Sequence, residues 1–287
     1  MLYLCVKRLL EGDGMKSVNA YEKKQLEGIK VWRAEEPGVI GKAFGLVIEP
    51  LAWLVKKVVP EAAIRGALSG AHSAAKWMTD TKDVIRDGGV ESVSELRAKD
   101  LELSDKLADE VHNWAIGIAV VEGAGTGAFG LPGMAADIPA LITLSLRTIH
   151  KIGICYGFEV KTPEDEQFVL GILAVAGANT IEEKVAAMTA LRELEVILTK
   201  LTWKKISEAA AKQQFSKESA IFTVKSLAKQ LGINITKRKA LASIPFIGAA
   251  IGGSVNGWYI KEVGWSARRM FQERWLMENH KYMDDAL

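Results

Sequence analysis

The chain has 287 residues, enough for one large domain or two small ones, with 49% hydrophobic and 25% charged residues; that balance excludes a disordered chain. Its net charge of +2 is too even for a nucleic-acid-binding surface. Two cysteines, Cys5 and Cys155, exclude a disulfide framework, and neither stands in a CxxC pair, so the redox reading is a reducing cytosol.

Helix signals dominate from the start. Residues 1–14 read as an N-terminal extension with Met15 as an alternative start, and residues 15–287 as a single helical domain. Lys7 and Arg8 follow the first apolar stretch, the reverse of a signal peptide's order. Asp87–Gly89 marks a turn between helices. Ser92-Val93-Ser94-Glu95 reads as a capping box. Leu103, Leu107, Val111 and Trp114 keep helical spacing and predict one apolar stripe. Asp105, Asp109 and His112 share the opposite stripe. A carboxylate–imidazole row can bind metal, but a solvated face is the expectation.

From Trp114 to Val160 the sequence is strongly apolar. Gly123–Ala136 carries no charge and holds five glycines and a proline. Glycine costs about 1 kcal/mol against alanine inside a helix, so the run predicts close backbone approach or a tight bend. Gly125-Thr126-Gly127-Ala128-Phe129-Gly130 matches GxGxxG. However, Leu131-Pro132-Gly133 interrupts any helix that would hold a pyrophosphate, and no acid follows about twenty residues on. A bend joining two buried helices is the reading kept, with Gly125, Gly127 and Gly130 as close-packing positions. Glu122 and Asp137 are the acids bordering this run, and each needs a partner if the block is buried. Asp137, two residues before Pro139, reads as an N-cap. Glu122 reads as an acceptor for the backbone of the glycine turn or as a partner of Arg147. Together Glu122, Asp137 and Arg147 form the candidate polar core, structural or functional.

Thr162-Pro163-Glu164-Asp165 places a hydroxyl, a first-turn proline and acids at a helix start. Thr180-Ile181-Glu182-Glu183 is a further capping box. It opens an amphipathic helix on Ile181, Val185, Met188, Leu191, Leu194, Leu198 and Leu201. Ala240–Ile260 is a second uncharged block of 21 residues between Lys237-Arg238-Lys239 and Lys261, long enough to span a bilayer. Its Gly248, Gly252, Gly253 and Gly257 keep small-xxx-small spacing for close helix contact. Val255, Tyr259, Val263, Ala267 and Met270 form the last stripe. Period-two alternation is scarce, so the fold expected is an all-α multi-helix bundle with glycine-rich buried hairpins.

The segments EGAGTGAFGLPGMAADIPALITLSLRTIHKIGICYGFE, TPEDEQFVLGIL and TKRKALASIPFIGAAIGGSVNGWYIKEVGWSARRMFQERWL, with YEKKQLEGIKVW before them, resemble the EcsC protein family. The resemblance implies a predominantly helical fold and brings no catalytic residues. The family's name-giving member is encoded beside ABC transporter subunits, so the resemblance also implies a membrane context.

No HExxH, GxSxG elbow or other local catalytic motif appears. No cofactor, metal or nucleic acid is expected. The function expected is a non-enzymatic accessory or interaction protein in the cytoplasm, at the inner face of the membrane. Its partner would be a membrane surface or membrane protein, such as ABC transporter subunits. The alternative is a binder of a lipid or other apolar molecule in an interhelical cavity, and an enzyme comes third.

Overall fold

A computed structural model describes residues 16–37, 62, 64–70, 80–127, 130–207, 224–242 and 255–281. Among these residues all regular structure is helical. Eight α-helices are delimited: α1 Ala20–Ala34, α2 Lys82–Gly88, α3 Leu101–Gly127, α4 Gly130–Cys155, α5 Pro163–Ala176, α6 Ile181–Ser207, α7 Val224–Ala242 and α8 Val255–Glu278. A 3-10 helix covers Val93–Ala98, and residues 64–70 are helical.

Local chemistry sets several ends. Asn19 and Glu22 cap α1 reciprocally, and Thr162 and Asp165 do the same for α5 with Pro163 in its first turn. These boxes satisfy N–H groups that an α-helix leaves without intrahelical partners. At α6 the Glu183 N–H bonds Thr180 Oγ1 at 3.2 Å, while the Glu183 carboxylate accepts from the Asn179 N–H at 2.8 Å. Gly89 closes α2 at φ 59°, the left-handed conformation expected of a turn glycine. The box read at Ser92 gives only the 3-10 helix. There the Ser92 hydroxyl donates to Glu95 at 2.8 Å instead of capping a backbone N–H.

The core forms around α8, which packs on α3, α4 and α5 and also touches α1, α6 and α7. Phe271 of α8 stacks on Tyr156 and Phe158 and meets Phe168 edge-on, with centroids 6.3, 5.9 and 5.4 Å away. Such pairs contribute about 0.5–1.5 kcal/mol each beyond area burial. The two ends of the described chain meet here as well. Lys16 N–H bonds the His280 carbonyl at 2.9 Å, and Lys281 Nζ reaches Glu22 at 2.8 Å.

Helix α4 departs from the sequence reading. It begins at Gly130 and runs through Pro139, so Asp137 is not its N-cap. Proline removes one rung of the ladder, but the flanking turns continue. Thr143, Ser145 and Thr148 return their hydroxyls to the carbonyls of Pro139, Leu141 and Leu144 at 2.9, 2.6 and 2.7 Å. Their polar groups are therefore satisfied within an apolar helix. Asp137–Cys155 is long and apolar enough to cross a membrane, with mean hydropathy 1.2, but 72% of it is buried inside the protein. Residues 243–254 of the second apolar block lie outside the described residues.

Candidate functional site

Helix α8 is buried on several faces, although Arg268, Gln272, Glu273 and Arg274 all lie on it and are all buried. Each finds a partner on another helix, as burial of a charge requires. Arg268 pairs with Asp109 of α3, and Arg274 pairs with Asp165 of α5 at 3.2 Å and with Glu278 at 3.0 Å. Arg33 of α1 reaches both carboxylate oxygens of Glu273. Gln272 donates to Asp105 of α3 at 2.7 Å.

Asp105 is the acceptor hub of this interior. It takes hydrogen bonds from Tyr21 of α1 at 2.8 Å, from Gln272, and from Tyr156 at the end of α4. Burial, then the charge of Asp105, pushes both phenols above their ordinary value. They remain O–H donors, which is what a buried carboxylate needs. His112 is buried two turns further along α3. Its Nε2 lies 3.0 Å from the Lys261 carbonyl, and its ring meets Trp265 edge-on at 5.8 Å. A carbonyl only accepts, so Nε2 carries the proton. Burial, reinforced by nearby Arg268, lowers the imidazole to about 4.

The row Asp105, Asp109 and His112 is thus not a solvated face. Asp105 and His112 are buried against α8, and Asp109 is exposed but paired with Arg268. Among the described residues no cluster of His, Cys, Asp and Glu is placed to hold a metal. The opposite stripe is also displaced. Leu107 is buried, whereas Trp114 is exposed. On α6 the expected stripe holds at Leu191 and Leu194 but not at its start. Val185 is exposed, while Lys184, Ala187, Leu191, Leu194 and Glu195 are buried. The side chains of Leu198 and Leu201 lie outside the described set. Glu195 is buried beside Glu273 with no hydrogen bond to either oxygen. Burial, then the charge of Glu273, raises it well above the ordinary carboxyl value.

The candidate residues read from the sequence do not converge. Glu122 lies inside α3, not in a turn, and its side chain is exposed. Asp137 is buried on α4 and accepts from Asn256 Nδ2 of α8 at 2.9 and 3.1 Å. Arg147 stacks over Trp114 at 5.2 Å, beside a cleft of about 400 Å³ that also holds Lys151 and Asp83. Gly125 and Gly127 fall in the last turns of α3, and Gly130 opens α4. The motif therefore joins two helices and not a strand to a helix. The surroundings of these three glycines, and Gly248, Gly252 and Gly253, lie outside the described residues. Gly257 is buried on α8. A glycine that spacing rules did not single out, Gly264, packs against the His112 ring, and a Cβ there would collide with it.

A larger cavity, about 570 Å³, opens among α1, the end of α5, the start of α6, α7 and α8. Trp32, Trp258 and Trp265 line it with Lys184, Arg238 and Glu262. Arg238 donates to Asn179 Oδ1 at 2.6 Å, to the Ala176 carbonyl at 3.3 Å and to the Ala178 carbonyl. Its guanidinium lies 4.6 Å from the Trp258 ring and 5.3 Å from Tyr259. Lys184 Nζ donates to the Trp32 and Glu35 carbonyls, the latter at 2.8 Å, and sits 4.6 Å from the Trp32 ring. The one glycine in this described lining is Gly28. No sequence spacing pointed to the site, because its walls come from five separate helices.

An all-α bundle wrapped around a buried, charged helix is the class that fold and interior define. The chain belongs to the EcsC protein family, whose model matches residues 23–276. It is similar to the uncharacterized protein YdbA of Bacillus subtilis, at 24% identity over 74% of this chain and 75% of that protein. It is also similar to protein EcsC of the same organism, at 26% identity over 56% of this chain and 59% of that protein. No solved structure matches the chain.

Proposed function

We propose that the protein is a non-enzymatic interaction protein that meets the cytoplasmic face of a membrane with the far end of the α3–α4 hairpin. The supporting observation is an exposed apolar face on α3. Trp114 and Val121, seven residues apart and so on one helix face, are 53% and 74% exposed, and Val120, about 100° around the helix from Val121, is 41% exposed. Large apolar side chains grouped in this way mark interaction surfaces more often than scattered ones do. No Asp, Glu, Lys or Arg occurs from Val111 to Val121, and the uncharged Gly123–Ala136 run follows. Arg147 stacked on Trp114 suits the headgroup level, where aromatic rings and basic side chains settle. Exposed Glu122 and buried Asp137 make a stable span costly, at about 2.5–3.5 kcal/mol for a charge at mid-bilayer. The contact is therefore peripheral and reversible.

The test is flotation with protein-free anionic vesicles. Wild type is expected to float and to be released by carbonate from native membranes. Val120→Asp with Val121→Asp, at exposed positions, is expected to keep the fold and abolish flotation. Binding to native membranes but not to vesicles would replace the lipid surface with a membrane protein partner, a transporter among them. An unchanged double variant would sink the reading.

A further inference from the structure

We infer that the cavity among α1, α5, α6, α7 and α8 binds an anion, phosphate or carboxylate, attached to an apolar body. Lys184 and Arg238 are 5% and 2% exposed, whereas Glu35 and Glu36, which border the same cavity, are exposed. Two buried cations thus form the floor, while exposed Glu35, Glu36 and Lys261 stand at the rim.

Neither floor cation has a carboxylate in ion-pair contact among the described residues. Their hydrogen bonds go to backbone carbonyls and the Asn179 amide. Neutral acceptors orient a cation but leave its charge uncancelled. Glu262 and Glu35, which line the same cavity, act on this charge only from beyond ion-pair contact, so an entering anion would compensate it more directly. Each cation also retains N–H groups beyond those bonds, since Lys offers three donors and Arg five. An oxyanion uses both the charge and the spare donors, and charge-assisted bonds of this kind are the strong ones.

The walls define the rest of the ligand. Trp32, Trp258 and Trp265 offer aromatic surface to an apolar body. The volume, about 570 Å³, falls in the usual range of small-molecule sites, roughly 300–1,000 Å³. Glu262 lines the cavity too, and burial raises its carboxyl above the ordinary value. No residue of the exposed α3 face lines this cavity. The same chemistry describes an anionic lipid headgroup with its acyl chains and a soluble organic anion.

Titration calorimetry with octyl phosphate, octanol and inorganic phosphate separates the two halves of the ligand. Octyl phosphate is expected to bind one to one, at least tenfold tighter than either half alone. Lys184→Gln keeps a donor for the Trp32 carbonyl and removes the charge, and it is expected to weaken octyl phosphate at least tenfold while still unfolding in one cooperative transition. Trp258→Ala is expected to do the same through the apolar half. Tighter binding of dihexanoyl phosphatidic acid than of octyl phosphate assigns a lipid; the reverse order assigns a soluble anion. Absence of octyl phosphate binding overturns the proposal. So does equal affinity for octanol, equal affinity for inorganic phosphate, or full affinity in a folded Lys184→Gln variant.

Discussion

Tyr21 donates its hydroxyl to Asp105 at 2.8 Å across 84 residues of sequence. The bond fixes the first turn of α1 to α3 at the same carboxylate that holds Tyr156 and Gln272. One buried charge thus ties four segments together, and its donors are the reason it is tolerated.

Asp105→Asn is expected to lower stability by about 2–4 kcal/mol, because a neutral amide supplies one acceptor oxygen where several donors converge. Tyr156→Phe removes one donor and leaves the other bonds, so about 1–2 kcal/mol is expected. Urea unfolding of both variants measures the order. A smaller loss for Asp105→Asn than for Tyr156→Phe would show that Asp105 is not the hub.

His112 makes stability depend on acid. Its pKa is about 4 in the folded protein against an ordinary 6.5. Between those values the unfolded chain binds the proton and the folded chain does not. Stability is therefore complete above about pH 6.5 and is lost as pH falls toward 4, by at most about 3 kcal/mol. His112→Gln is expected to flatten that slope while lowering stability at pH 7. An identical slope in the variant would assign acid sensitivity to other groups.

Glu195 acts in the opposite direction. Its folded pKa is raised by burial and by Glu273, so above the ordinary carboxyl range the folded chain keeps a proton that the unfolded chain releases. Its contribution to stability declines as pH rises. Glu195→Gln mimics the protonated acid. Melting curves are expected to show a higher midpoint for the variant at pH 7.5 and a difference that closes toward pH 4.5. A lower midpoint at pH 7.5 would mean that Glu195 is ionised and usefully paired.

Gly264→Ala is expected to destabilise by about 1–3 kcal/mol, the usual range for overpacking, because its Cβ collides with the His112 ring. In the double variant Gly264→Ala with His112→Ala the collision is gone, so the two losses are expected not to add. Strict additivity in a double-mutant cycle would place the strain elsewhere.

The sequence alone determined the helical class, the caps at Thr162 and Thr180, the turn at Gly89 and the passage from one helix to the next at the GxGxxG run. Those signals are local: a cap needs residues three apart, and a turn needs one left-handed glycine. The family was legible for the same reason, in contiguous motifs. The tertiary structure alone decided which polar residues are interior. Asp105 and His112 look solvated because nothing near them in sequence can satisfy them, and their partners Tyr21, Tyr156, Gln272 and the Lys261 carbonyl arrive from other segments. Asp137 looked like a cap because Pro139 follows it, and only the approach of Asn256 on α8 shows a carboxylate held inside a continuous helix. Lys184 and Arg238 meet around one cavity because five helices converge there. Periodicity reports which side of a helix is apolar. Whether a polar side faces water or a complementary helix depends on donors and acceptors brought from elsewhere in the chain, and folding supplies that pairing.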